Sequence, residues 1–221
     1  MDRPDKPEID PDGHGAQRGR IRITVTLLYF SMGLMFASWA SRIPDIKTKL
    51  NLNDAVFGTI LFAMPVAQFL MMTVSGRLVT RFGSRRIVLL ALPLYALCLA
   101  NIGLASRGWQ LAVALFLFGI AGNMCNISIN TQGVAAEKLY HRPIMASFHG
   151  GWSLAGFTGA LIGLIMINLK IIPLWHFVTV IILVCGVILF NRRYIMEVKQ
   201  PSVRESQKNK FFSMPDRNLM G

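Results

Sequence analysis

Residues Ala55–Ser75 read AVFGTILFAMPVAQFLMMTVS, and Gly76–Arg86 follow at once as GRLVTRFGSRR. The first stretch holds no Asp, Glu, Lys or Arg, whereas the second holds four arginines. At 1.5 Å of rise per residue, about 20 apolar residues carry a helix across the hydrocarbon core of a bilayer. Apolar residues surround this segment rather than forming one stripe. A soluble helix with a single buried face therefore does not fit it.

Working outward, five more blocks have the same character: Ile23–Ser41, Ile87–Ala105, Trp109–Asn130, Ala146–Asn168 and Ile171–Phe190. None contains a charged side chain. The whole chain of 221 residues is 53% hydrophobic and 15% charged, against about 25% charged in a soluble domain. Membrane strands would read as alternating segments of about ten residues, and no such alternation occurs. The expected fold is all-α: a polytopic membrane protein with six transmembrane helices in one bundle.

The net charge of +12 raises the question of nucleic acid, but its distribution answers it. With the N-terminus inside, 18 of the 23 Lys and Arg fall on the cytoplasmic side: before the first block, at Arg77–Arg86, at Lys138 and Arg142, and after Phe190. Arg42, Lys47, Lys49, Arg107 and Lys170 fall outside. This asymmetry places both termini in the cytoplasm. It makes anionic lipid headgroups the partners of the basic residues, with no role for nucleic acid. Residues 1–20 read as a disordered cytoplasmic tail, 21–192 as the bundle, and 193–221 as a cytoplasmic linker approaching a seventh helix that is absent. Cys98, Cys125 and Cys185 lie one to a block, without metal-ligand spacing. They read as packing residues, and no metal or cofactor is expected.

The stretch Gly76–Arg86 resembles the cytoplasmic signature of the major facilitator superfamily: Gly, three residues, Asp, basic, any, Gly, any, basic, basic. It also lies between helices two and three, where that family puts it. Gly76, Arg81, Gly83, Arg85 and Arg86 match, while Thr80 stands in place of the Asp. In the family that Asp helps to lock the outward-facing state, so the resemblance leaves that part of the latch unsupported here. On physical grounds Gly76 and Gly83 permit tight turns and close helix contact, and the arginines suit helix C-termini and lipid phosphates. Trp39–Pro44, Asn126–Val134 and His141–Ser153 are similar to a bacterial inner-membrane branch related to fucose permease. The resemblance covers about residues 20 to 220. It implies a twelve-helix fold of two six-helix bundles with a substrate between them, of which only the N-terminal half is present.

Candidate site residues follow from polar groups within the blocks. Asn123, Asn126 and Asn130 at spacing i, i+3, i+7 share one face of helix four. An unpaired buried amide costs roughly 2–7 kcal/mol, so that face meets a cavity or polar neighbours. The amides form either a hydrogen-bonding wall for a sugar-like solute or glue between helices, with Asn130 assigned to structure. His149 and Trp152 stand one turn apart at the start of helix five, and Gln68 and Trp39 are further candidates for substrate contact. Trp39 and Trp109 also suit the aromatic belt. His176 is expected to meet headgroups or water.

Gly151, Ala155, Gly159 and Gly163 form a row along which another helix packs closely. Pro65 and Pro93 should interrupt their helices. The resembling sugar symporters carry a carboxylate on helix four, where this chain has asparagines. A uniporter, a coupling acid in the other half, and Asp45 at the cavity mouth all remain open. A Ser–His hydrolase is disfavoured, since Gly151-Trp152-Ser153-Leu154-Ala155 lacks the closing Gly of a nucleophile elbow.

Overall fold

The computed structural model describes residues 14–198. Its helices are α1 (His14–Ser41), α2 (Ile43–Lys49), α3 (Asp54–Leu61), α4 (Ala63–Phe82), α5 (Ser84–Leu104), α6 (Gly108–Tyr140), α7 (Met145–Asn168) and α8 (Pro173–Asn191). A 3₁₀ turn, Arg192–Tyr194, follows. Taking α3 and α4 as one span, six segments are long and apolar enough to cross a membrane. The expected all-α, six-span architecture is what the chain adopts, with no strand among the described residues.

Local chemistry explains the boundaries. α1 begins at His14, so residues 14–20, expected to be tail, belong to it. The rest of that stretch, and the expected linker beyond Val198, lie outside the described residues. Asn53 caps α3 by accepting from the Val56 amide at 2.9 Å. The second span breaks at Phe62, because Pro65 has no N–H to return to the Leu61 carbonyl. α5, by contrast, runs on through Pro93. The Gln110 side chain accepts from the amides of Ser106 and Arg107 ahead of α6. Glu137 does the same for α7, its carboxylate accepting from the Ile144 and Met145 amides, each at 2.8 Å. Such a cap contributes about 1 kcal/mol.

The small-residue row of α7 does pack against α1. A Cβ at Gly33 would lie 2.7 Å from the Trp152 carbonyl oxygen, and one at Gly159 would lie 2.6 Å from Ala37 Cβ. Gly151 faces Thr26 and Gly163 faces Ser41. Lipid offers no hydrophobic drive for helices to associate, so van der Waals contact at this range is what holds them. Gly119 plays the same part between α6 and α4, where a Cβ would sit 2.5 Å from the Met64 carbonyl oxygen. Tyr95 of α5 stacks on Phe118 of α6 with centroids 4.0 Å apart. Cys98 and Cys125 are buried and Cys185 is half-buried, all as free thiols.

The ends of the bundle are tied by polar groups. At the end carrying the start of α1, Thr24 donates to Asn191 and Arg20 contacts the Tyr194 hydroxyl. The buried Gln132 accepts from the Met196 amide at 2.9 Å and donates to the Met196 carbonyl and to Ser84 Oγ, each at 2.7 Å. Ser84 N donates to the Val198 carbonyl at 2.8 Å. At the opposite end, His176 is fully buried and bonded to Arg42. This corrects its expected place among headgroups, because the α7–α8 turn folds it inward.

Candidate functional site

Three helices supply a cleft of about 250 Å³. Its lining is Tyr29 and Met32 from α1, Asn126, Ile129 and Asn130 from α6, and His149 and Trp152 from α7. Helical spacing sets Asn126 and Asn130 one turn apart, so their amides meet: Asn130 Nδ2 donates to Asn126 Oδ1 at 3.0 Å. Tyr29 then donates its hydroxyl to Asn130 Oδ1 at 2.6 Å. The phenol is held in place by rings and by a missing side chain. Phe148 stacks on it at 5.8 Å and His149 meets it edge-on at 5.2 Å. A Cβ at Gly133 would lie 2.9 Å from its hydroxyl oxygen.

The result is a directed chain, Tyr29 to Asn130 to Asn126. Among the described residues it leaves the Asn126 NH₂ without a partner, on an exposed residue at the cleft surface. His149 is exposed beside it, and Trp152 is 38% exposed. Among the described residues, no Asp, Glu, Lys or Arg lines the cleft.

The sequence candidates separate into groups. Asn126, His149 and Trp152 come together in the cleft. Asn123 and Gln68 meet instead at the α4–α6 seam, where Asn123 Nδ2 donates to the Gln68 carbonyl at 3.0 Å. The buried Asn123 Oδ1 has no hydrogen-bond partner among the described residues. Trp39 is 2% exposed in the core and does not line this cleft. At seven residues beyond Met32 on α1, it lies about 10 Å further along the helix. Trp109, 63% exposed, fits an aromatic belt. Asn130, assigned to structure from sequence, is the middle of the hydrogen-bonded chain and also lines the cleft. Tyr29 and Met32 carried no signal, since both sit in a uniformly apolar run. Ser147 donates to the carbonyl three residues earlier, Ile144 O, at 2.7 Å, as a helix-end serine does rather than a nucleophile.

In the signature stretch, Gly83 (φ 84°) is the single residue between α4 and α5, and its positive φ needs glycine. Gly76 corrects expectation: it sits inside α4 with open space where a Cβ would be, so it makes neither a turn nor a close contact. Thr80 turns its hydroxyl back to the Gly76 carbonyl. Arg85 reaches the Arg192 carbonyl past the end of α8 at 3.3 Å and lies 3.9 Å from Glu197. Arg81 lies over the Phe82 ring, and both Arg81 and Arg86 are exposed.

Six apolar spans packed through glycines, with polar groups gathered in one cleft, define a polytopic α-helical membrane protein. The family model of the Major Facilitator Superfamily matches residues 25–216, and the chain belongs to that family. It is 34% identical over 139 residues to an uncharacterized MFS-type transporter from Yersinia pestis, covering 63% of this chain and 36% of that one. An uncharacterized transporter from Sinorhizobium fredii is 30% identical over 157 residues, 71% of this chain and 41% of the other. The membrane protein MosC from Rhizobium meliloti is 32% identical over 146 residues, 65% and 35% respectively. The match thus spans well under half the length of these curated relatives.

Proposed function

We propose that this chain is the N-terminal half of a secondary transporter that moves a small, neutral, polar solute such as a sugar by alternating access. The observation that carries the reading is the Tyr29–Asn130–Asn126 chain, which presents a free amide beside an imidazole and an indole in a cleft without charged lining. Amides match hydroxyl groups, and the indole plane offers an apolar face for a ring. An ionic solute would leave its charge uncompensated against such a wall. The resemblance to the fucose-permease branch points the same way.

In this reading the six helices form one wall of a midplane cleft. A second six-helix half forms the other, and the two rock around the solute. The basic residues hold both termini in the cytoplasm of a bacterial inner membrane, against anionic headgroups. No cofactor takes part. A second reading is a half that needs another chain and does not transport alone. It is favoured by the cleft drawing its lining from α1, α6 and α7 only, which leaves one side open.

Two measurements test this. Tagged at its N-terminus in its native gene, the protein should run near twice 24.6 kDa; a band near 24.6 kDa would transfer the case to the partner-dependent reading. Reconstituted protein should bind members of a panel of neutral sugars and polyols. Binding confined to organic acids or amines would end the neutral-solute proposal.

A further inference from the structure

We propose that the groove between the start of α1 and the end of α6 is a binding site for an anionic phospholipid, with Arg22, Tyr140 and Arg142 holding its phosphate. The Arg22 guanidinium carbon lies 5.7 Å from the Tyr140 ring centroid, and that of Arg142 lies 5.9 Å from it. Two cations therefore converge on one phenol. Neither has a carboxylate of a described residue within ion-pair range. Among the described residues those pairs are Arg42–Asp45, Lys47–Asp54 and Arg85–Glu197. Glu137, one turn before Tyr140, has its Oε2 engaged by the Ile144 and Met145 amides. Among the described residues, like charges thus gather here without an anion that would offset their repulsion.

The rest of the groove says which anion fits. It encloses about 430 Å³ and is lined by Gly19, Arg22, Ile23, Thr26, Leu27 and Tyr140. Arg22 stands at the rim, while Ile23 and Leu27 continue along α1 into its apolar block. Ile23 is 59% exposed. Thr26 donates its hydroxyl to the Arg22 carbonyl at 2.9 Å, so that wall offers no further donor. Charge at the boundary followed by an apolar floor running toward the bilayer is the order of groups in a phospholipid. Guanidinium groups suit its phosphate, since they present paired donors and remain charged. A free phosphate would leave Ile23 and Leu27 unused.

The test is native mass spectrometry of the full chain in detergent with phosphatidylglycerol, phosphatidylcholine or inorganic phosphate added. Phosphatidylglycerol should be retained in preference to phosphatidylcholine, and inorganic phosphate should not displace it. Each boundary arginine contributes on the order of fivefold in affinity, so Arg22→Gln with Arg142→Gln should lose about thirtyfold. Arg77→Gln removes one exposed arginine outside the groove and should change nothing. Gly19→Leu fills the groove without altering charge. Apart from its own helix backbone, no atom of a described residue stands within 4 Å of a Cβ there, so the described fold tolerates it, and retention should fall. If the double variant does not fold, Gly19→Leu alone decides. Undiminished binding in Gly19→Leu or in the folded double variant overturns the site. Equal retention of the two lipids does the same, and displacement by inorganic phosphate would make it a free-anion site instead.

Discussion

Arg42 donates from Nε to His176 Nδ1 at 3.1 Å, joining positions 134 apart in the chain. The same guanidinium reaches Asp45 at 2.6 Å and the Ile171 carbonyl at 2.9 Å. A residue only 1% exposed thereby pairs each of its three guanidinium nitrogens, with partners from α2, from the α7–α8 turn and from α8. Burying an arginine is costly unless its N–H groups are paired, so these partners are what permit it. They close the end of the bundle opposite the Gln132 strap.

His176→Phe keeps the ring volume and removes the acceptor, leaving a buried guanidinium N–H unpaired. The expected loss is about 2 kcal/mol, read from unfolding of the purified protein in detergent. An unchanged unfolding midpoint would show that the bond adds nothing.

Gly33→Ala puts a Cβ 2.7 Å from the Trp152 carbonyl oxygen, a backbone atom that cannot swing away. Overpacking of this kind costs about 1–3 kcal/mol. Gly156→Ala on α7 meets nothing within 4 Å and should be neutral or stabilise by up to about 1 kcal/mol through helix propensity. Equal effects in the two variants would mean that the α1–α7 seam is looser than the distances imply.

Asn126→Ala and Asn123→Ala should fail in different ways. Asn126 presents its amide to the cleft, so its loss should weaken solute binding about tenfold, one neutral hydrogen bond's worth, with stability kept. Asn123 is tied to the Gln68 carbonyl, so its loss should lower the unfolding midpoint and spare affinity. Equilibrium binding and thermal unfolding on the same samples separate the two. The opposite pattern would move the site to the α4–α6 seam.

Gln132→Ala removes three hydrogen bonds that hold Ser84 and Met196. The segment after α8 should then open more often, and trypsin should cut at Arg192 and Arg193 several times faster. Protein retained in vesicles and probed from both sides gives the rate. Unaltered cleavage would place the restraint elsewhere, at Ser84 N and Val198 O.

Order along the chain is enough to determine the membrane class, the six spans and the family stretch. These depend on local quantities: block length, absence of charge and the spacing of glycines and arginines. That some helix packs closely on α7 was also legible, because Gly151, Ala155, Gly159 and Gly163 repeat on one face, whereas its identity as α1 was not. What lay beyond that reading depends on where helices distant in sequence come to rest. Asn123 and Asn126 share a face in sequence, yet one meets the Gln68 carbonyl and the other the cleft. Tyr29 is one more apolar-run residue until α6 brings Asn130 to its hydroxyl. His176 is near a block's end by count, yet the α7–α8 turn carries it under Arg42. A polar side chain in lipid must find a partner, and its sequence position establishes that need. Which partner it finds is decided by helix rotation and close packing, and these are properties of the assembled bundle.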